Sequence, residues 1–327
     1  MFRAPWQKWS PIKDLPTNWE SWMTPEFNLV RDEWLNFRKS APKEKLALAL
    51  ARVNRHHGLE TGQLEGLYTV PRGLTEMIID YGVETVNLSH IDTQKEISTE
   101  KAKGLIKDQT DIVQLLLDMV RSGEPLTIFD LRSMHALLTE NQDLASGLAP
   151  TGERVGIPLL KGQFKIRPNN PRRPDGLRHE YCPPEFVIDE LERLLAWHET
   201  HKTQGIDPVT EAAWFHHRFV QIHPFQDGNG RMGRTLANYM LLEADLPPLV
   251  IPISERDSYI DALERAEAGD LADLVYFFQD RIMREMRALV RLESRLDHAA
   301  TIEIPNGGPE RGNTEAFLGW LTDSALK

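Results

Sequence analysis

Residues 223–234 bring together the side chains of this chain that could act on a phosphate ester. The segment reads His-Pro-Phe-Gln-Asp-Gly-Asn-Gly-Arg-Met-Gly-Arg. Neutral imidazole is a base near pH 7, a carboxylate can bind Mg²⁺, and a guanidinium group pairs with phosphate oxygens through two hydrogen bonds. A hydrophobic core gains nothing from this combination, so the segment predicts a site for phosphate chemistry.

Two predicted helices flank the segment and would position it. Before it, Phe215 and Phe219 recur at helical spacing, and Pro224 disfavours helical geometry at the residue that precedes it. We therefore expect the first helix to end near His223. After it, apolar residues recur every four positions from Met232, so the Gly-Asn-Gly turn should open a second helix. The backbone N–H groups of that turn and the helix dipole would form an anion site.

The glycine spacing also fits another nucleotide motif, the dinucleotide-binding fingerprint, through Gly228, Gly230 and Gly233. That fingerprint requires a preceding strand within a βαβ unit. A predicted helix and a His-Pro pair precede the glycines here, and no parallel-strand pattern follows. The context therefore argues against a Rossmann fold.

The whole segment resembles the signature of Fic-domain proteins, His-x-Phe-x-(Asp/Glu)-Gly-Asn-Gly-Arg-x-x-Arg. The resemblance implies an all-α fold, which is a mainly helical bundle with a short β-hairpin flap. It also implies a protein adenylyltransferase that moves AMP from ATP to a Ser, Thr or Tyr hydroxyl of a target protein. All eight fixed positions are met, by His223, Phe225, Asp227, Gly228, Asn229, Gly230, Arg231 and Arg234.

The same resemblance implies a role for each residue of the site. His223 would be the catalytic base, and Asp227 would hold Mg²⁺. Tyr259 resembles the aromatic residue that lines the adenine pocket of the family, although a partly buried tyrosine on a helix explains it equally well. The residues expected to bind ATP are Asp227, Gly228, Asn229, Gly230, Arg231, Met232, Gly233, Arg234 and Tyr259.

An upstream segment resembles the inhibitory motif of Fic proteins, (Ser/Thr)-x-x-x-Glu-(Gly/Asn). Its residues are Thr61, Glu65 and Gly66. In a helix Thr61 and Glu65 share a face because they are four residues apart. Alone, the pattern also fits an ordinary helix end with a glycine cap. Together with the downstream signature it implies an inhibitory helix in the same chain, whose Glu65 would pair with Arg234 and keep the γ-phosphate out.

Residues 150–182 are rich in glycine and proline, and residues 162–167 alternate in a way that favours a short hairpin strand. Fic proteins have a β-hairpin flap before the motif, which positions the target segment. The resemblance therefore implies a flap at about residues 152–168. Its target-positioning residues would be Gly162, Gln163, Phe164 and Lys165.

The N-terminal residues 1–42 hold five of the eight tryptophans, interrupted by prolines. We expect an irregular arm that docks on the core of its own chain. A homodimer or partner surface stays open, because aromatic residues are enriched at interfaces. The remaining predicted regions are a helical region with the inhibitory motif at 43–99, a Fic core at 100–298, and a linker and C-terminal tail at 299–327.

Composition limits the classes of binding partner and the cellular compartment that we expect. The net charge of −11 argues against general binding to nucleic acid or to an anionic membrane. The single cysteine excludes an intrachain disulfide, and the sequence shows no signal peptide or transmembrane pattern. These features predict a cytoplasmic protein.

Two other functions stay open beside auto-inhibited AMP transfer. One is the reverse reaction, removal of AMP from a modified protein, with Glu65 aligning a water molecule. The other is a non-catalytic nucleotide-binding regulatory module. Incubation with labelled ATP distinguishes AMP transfer from nucleotide binding, because only transfer leaves a covalent adduct. Supplying a target that already carries AMP tests the reverse reaction.

Overall fold

The structure, a computed structural model, describes residues 8–85, 98–148, 153–171, 179–296 and 311–323. Its regular structure is helical apart from one two-stranded hairpin, which confirms the predicted fold class. No helix within these ranges is long and apolar enough to cross a membrane. The α-helices are α1 Pro25–Ser40, α2 Lys43–Leu64, α3 Arg72–Tyr81, α4 Thr99–Ser122, α5 Ile128–Leu138, α6 Val187–Gln204, α7 Pro208–Ile222, α8 Asn229–Glu243, α9 Arg256–Glu267, α10 Ala272–Leu296 and α11 Arg311–Asp323.

Helices α7 and α8 pack against each other at the centre of the fold. Phe215 and Phe219 of α7 and Leu236 of α8 are fully buried, as their helical spacing predicted. Helices α6, α9 and α10 cover α7, while α4 and α5 lie against α8. The polar segment between α7 and α8 is therefore positioned by two helices that are buried in a close-packed core.

The N-terminal arm is more regular than predicted, because its second half forms α1. Trp34 of α1 is fully buried, and its Nε1 donates to the Asp245 carbonyl at 2.9 Å. Trp9 stacks on Phe186 with 5.3 Å between ring centroids. These two tryptophans dock on the core of their own chain, while Trp6 lies outside the described residues.

The hairpin lies earlier in the chain than predicted. Strand β1, Leu144–Leu148, pairs antiparallel with β2, Arg154–Pro158. The prediction of a hairpin strand at residues 162–167 is wrong. Gly162 turns the chain with φ +64°, and Phe164 forms only an isolated antiparallel bridge to Phe225, beside which the Lys165 N–H donates to the Pro224 carbonyl at 2.8 Å. The predicted flap residues are thereby attached to the catalytic segment instead of forming the hairpin.

The predicted linker and tail contain a helix, α11, which sequence analysis missed. It packs against α2 and α4, and its Phe317 and Trp320 are buried. Arg121 of α4 donates to the Ala316 carbonyl at 3.1 Å. Since α2 carries the predicted inhibitory motif, α11 supports that helix from the side.

Candidate active site

Helix α7 ends at Ile222, next to the predicted end, and His223 caps it in a left-handed conformation with φ 52° and ψ 56°. Its Nδ1 lies 3.2 Å from the Val220 carbonyl, so Nδ1 carries the proton and Nε2 keeps the lone pair of the neutral ring. Burial, and next the charge of Lys165, lower the pKa of His223 to about 3. The imidazole is therefore neutral across the physiological range and can accept a proton at Nε2.

The side chains of Asn229 and His135 help to fix the loop between α7 and α8. Asn229 accepts from the Phe225 N–H at 2.9 Å and donates to the Phe225 carbonyl at 2.8 Å. His135 of α5 stacks on the Phe225 ring at 3.8 Å. Its Nδ1 accepts from the Gly162 N–H at 2.9 Å, so its Nε2 donates to the Asp227 carbonyl at 3.0 Å. The Asn229 side chain is thus used to hold the loop, not left free for a phosphate.

Helix α8 begins within the Gly-Asn-Gly turn, as predicted. Gly228, the N-cap, has φ 81° and provides no side-chain cap. The first N–H groups of a helix lack intrahelical partners, and the helix dipole adds positive potential there. Glu65 lies directly over this turn, because a Cβ added at Gly230 would be 2.2 Å from Glu65 Oε1. A carboxylate of the same chain therefore lies against the N-terminus of α8.

Arg234 connects α8 to the end of α2. Its Nε donates to Thr61 Oγ1 at 2.5 Å, and its Nη2 donates to Glu65 Oε1 at 2.7 Å. Arg234 is 3% exposed, whereas the Glu65 side chain is 31% exposed. Burial alone would lower the pKa of Arg234, but the Glu65 carboxylate raises it above its ordinary value. Gly66, with φ +65°, then turns the chain away, so two of the three predicted inhibitory residues, Thr61 and Glu65, contact Arg234.

Gln142 links the two charged residues on the other side of the loop. Its Nε2 donates to Asp227 Oδ2 at 2.8 Å, and its Oε1 accepts from Arg231 Nη2. Arg231 is 1% exposed, and within the described residues its Nε and Nη1 have no hydrogen-bond partner. Arg231 therefore lies beneath the loop as a buried cation, not beside Arg234.

Asp227 has the donor set for one Mg²⁺ contact. Its Oδ1 accepts from the Gly228 N–H at 2.7 Å, and Oδ2 accepts from Gln142. A carboxylate has about four lone-pair sites, so roughly two stay available to a cation. No cluster of three or more His, Cys, Asp or Glu that could hold a metal occurs in the part of the chain that the structure describes. One carboxylate with phosphate oxygens and water is an ordinary Mg²⁺ site, so the residues fit the ion.

Three further residues that were predicted to bind ATP pack against other parts of the protein. The Met232 side chain is fully buried in the core. Gly233 packs on α7, where an added Cβ would lie 3.1 Å from His216. Tyr259 is 3% exposed, and its hydroxyl lies 2.8 Å from His216 Nε2 and 3.5 Å from Arg234 Nη1. The buried Tyr259 hydroxyl therefore contacts the Arg234 guanidinium.

Two residues that hold the site, His135 and Gln142, lie outside every motif of the sequence. Their contacts join α5 and the segment before β1 to the loop that follows α7. A single histidine or glutamine carries no spacing signal, so only the fold reveals these roles.

The central part of the chain is similar to a known protein family. Residues 125–241 match the model of the Fic/DOC family. A segment of 94 residues is 37% identical to the protein adenylyltransferase fic-1 of Caenorhabditis elegans, and covers 29% of this chain and 18% of that protein. A segment of 90 residues is 39% identical to the protein adenylyltransferase Fic of Drosophila persimilis, and covers 28% of this chain and 18% of that protein. The matches thus span about a fifth of the length of these relatives.

Solved structures share the fold over most of the chain. A Fic-domain-containing signalling protein from Bacteroides thetaiotaomicron aligns with TM-score 0.66 and 21% identity, covering 82% of this chain and 97% of that one. Fic-1 residues 134–508 from C. elegans align with TM-score 0.63 and 20% identity, covering 83% of this chain and 72% of that one. These similarities support the helical architecture described above.

Proposed function

We propose that this chain, whose residues 125–241 match the model of the Fic/DOC family, is an auto-inhibited protein adenylyltransferase. Its proposed substrates are ATP and a hydroxyl side chain of a target protein, and its proposed compartment is the cytoplasm. The observation that carries the proposal is the position of Glu65. Its carboxylate pairs with Arg234 at 2.7 Å and covers Gly230 at the N-terminus of α8.

In the proposed reaction, the oxygen of a Ser, Thr or Tyr hydroxyl attacks the α-phosphorus of ATP. A new O–P bond forms, the bond from the α-phosphorus to the bridging oxygen breaks, and pyrophosphate leaves. The hydroxyl proton passes to Nε2 of His223, which is the ring nitrogen that holds the lone pair. The product is a phosphodiester between AMP and the target.

Three groups of the site would bind the phosphates. The N–H groups at the start of α8 offer hydrogen bonds without a competing cap. Asp227 would hold Mg²⁺, which neutralises phosphate charge when bound. Arg234 would pair with the γ-phosphate, while the buried Arg231 adds positive potential under the loop. Catalysis by such a site consists mainly of positioning and electrostatic stabilisation.

Auto-inhibition follows from competition between carboxylate and phosphate for one guanidinium. Arg234 cannot offer the same Nη2 hydrogen to Glu65 and to a γ-phosphate. While Glu65 is in place, ATP would bind with its α-phosphorus displaced from the line of attack. A displacement of about 1 Å can cost roughly a hundredfold in rate.

The test is incubation of the purified Glu65→Gly chain with ATP, Mg²⁺ and a protein extract, followed by peptide mass spectrometry. AMP esters on Ser, Thr or Tyr side chains are the expected products. Bound nucleotide without any covalent product would refute the proposal and favour a nucleotide-binding module. Release of AMP from a pre-modified protein, without forward transfer, would favour the reverse reaction.

A further inference from the structure

One face of the His223 imidazole is covered by a residue that no motif contains. The Tyr181 ring lies parallel to the imidazole, with 3.7 Å between ring centroids and 7° between ring planes. The Tyr181 N–H donates to Asn170 Oδ1 at 3.0 Å, and His179 packs edge-on against the Tyr181 ring at 4.6 Å. Tyr181 therefore has a backbone hydrogen bond and a ring contact of its own besides the stack on His223.

The buried ammonium group of Lys165 lies next to both Tyr181 and the end of α7. Lys165 is 4% exposed, and its Nζ lies 3.0 Å from Asn169 Oδ1 and 3.3 Å from the Ile222 carbonyl. The same Nζ is 5.9 Å from the centre of the Tyr181 ring. Lys165 thus contacts the backbone immediately before His223 and also faces the ring that covers the imidazole.

We propose that Tyr181 is a positioning residue for His223, whose ring fixes the plane of the imidazole so that Nε2 meets the target hydroxyl. This inference rests on the proposed function, because it assigns His223 the role of base. The bond between the histidine Cβ and its ring joins an sp³ to an sp² carbon, and the torsion about it is broad. The single hydrogen bond from Nδ1 to Val220, at 3.2 Å, restricts the torsion weakly. Stacking removes the remaining freedom.

Tyr181 also keeps water from one face of the ring. The charged or titratable groups that face His223 are Lys165, His179 and Tyr181 itself. Burial is the largest cause that lowers the pKa of His223, and the Lys165 charge is the next. Opening one face to water would therefore raise the pKa toward the ordinary histidine value near 6.5.

The experiment compares Tyr181→Leu and Tyr181→Phe with Tyr276→Ala, a control at an exposed tyrosine of α10. All three are made in the Glu65→Gly chain, so that AMP transfer is measurable. Tyr181→Leu should lower kcat about ten- to a hundredfold, with KM for ATP unchanged, because only the base is misplaced. Tyr181→Phe keeps the stacked ring and should stay within about twofold of the parent, as should the control.

The pH profile provides a readout that general structural damage would not reproduce. The parent should be equally active at pH 5.5 and 7.5, because its His223 is already neutral. Tyr181→Leu should lose activity further at pH 5.5, because the raised pKa protonates the base. A Tyr181→Leu chain with the kcat and pH profile of the parent would overturn the proposal. Equal losses in the Phe and Leu variants would also overturn it, since the hydroxyl and not the ring would then matter.

Nuclear magnetic resonance of the Glu65→Gly chain tests the same contact without any activity. The His223 ring protons should show an upfield ring-current shift and should not titrate above pH 5. Both features should disappear in Tyr181→Leu. If that variant does not fold, the Glu65→Gly chain, which keeps Tyr181, must still show both features. A titration near pH 6.5 with no ring-current shift would refute the stacking. If the parent transfers no AMP yet shows the shifted resonance, the proposed function fails and the stacked geometry stands.

Discussion

The pairing of Glu65 with Arg234 makes Glu65→Gly the most informative perturbation of the site. The substitution removes the carboxylate that accepts from Arg234 Nη2 at 2.7 Å. It leaves the Thr61 contacts of Arg234 in place, at 2.5 Å to Oγ1 and 3.3 Å to the carbonyl. Arg234 therefore stays oriented, while one guanidinium donor becomes available to a phosphate.

The magnitude follows from the strength of one charge-assisted hydrogen bond. Such a bond contributes about 1.5–3 kcal/mol, which corresponds to roughly a tenfold to hundredfold change in an equilibrium. Because the Glu65 side chain is 31% exposed, solvent screening favours the lower end of that range. We expect AMP transfer to rise about tenfold or more in Glu65→Gly.

The assay measures incorporation of α-labelled AMP into the chain itself and into extract proteins. Glu44→Gly is the matched control, because it makes the same substitution at an exposed glutamate in the first turn of α2. Arg234→Ala should not activate, since it removes the γ-phosphate contact together with the pairing. Equal labelling of wild type and Glu65→Gly would show that Glu65 only ends a helix, and activation by Glu44→Gly would show that loosening α2 is sufficient.

Four further predictions use the same contacts. His223→Ala in the Glu65→Gly chain should lower transfer about a hundredfold or more while ATP binding by calorimetry is retained, and an undiminished rate would assign the base elsewhere. Asp227→Ala should abolish the Mg²⁺ dependence of ATP affinity together with transfer, and retained dependence would indicate another ligand. Thr61→Val removes the acceptor for Arg234 Nε and should raise transfer about two- to tenfold, less than Glu65→Gly does; an unchanged rate would show that Thr61 does not help hold the inhibited state. Burial lowers the pKa of His135 to about 4 from an unfolded value of 6.5, so its stabilising effect is complete above about pH 6.5 and is lost as pH falls towards 4. The unfolding free energy of wild type relative to His135→Asn should therefore shrink by about 2 kcal/mol between pH 8 and pH 5, and a pH-independent difference would contradict the assignment.

The helices around the site could be predicted from the sequence because local rules determine them. Helix α7 ends just before His223 and Pro224, and α8 begins just after Gly228, as the spacing of apolar residues and the turn chemistry indicated. The pairing of Arg234 with Glu65 was also predicted, since the two motifs together imply it. Each of these features depends on residues close in sequence or on a recognised pattern.

The remaining features depend on contacts between distant segments, which one sequence does not show. Residues 162–167 alternate like a strand, but the hydrogen bond from Lys165 to Pro224 fixes them to the catalytic loop. Arg231 carries the same charge as Arg234 and lies only three residues away, yet its Nη2 donates to Gln142, which precedes β1. Helix α11 was missed because its stability comes from packing on α2 and α4 rather than from its own pattern.

The most direct test of AMP transfer compares ATP labelled at the α-phosphate with ATP labelled at the γ-phosphate. Each is incubated with Mg²⁺ and the Glu65→Gly chain, alone and with an extract, and acid-stable protein label is counted. We predict retention of the α-label, none of the γ-label, and loss of the α-label when His223→Ala is added. Retention of the γ-label would indicate phosphoryl transfer, and absence of both labels would contradict the assignment of this site to AMP transfer.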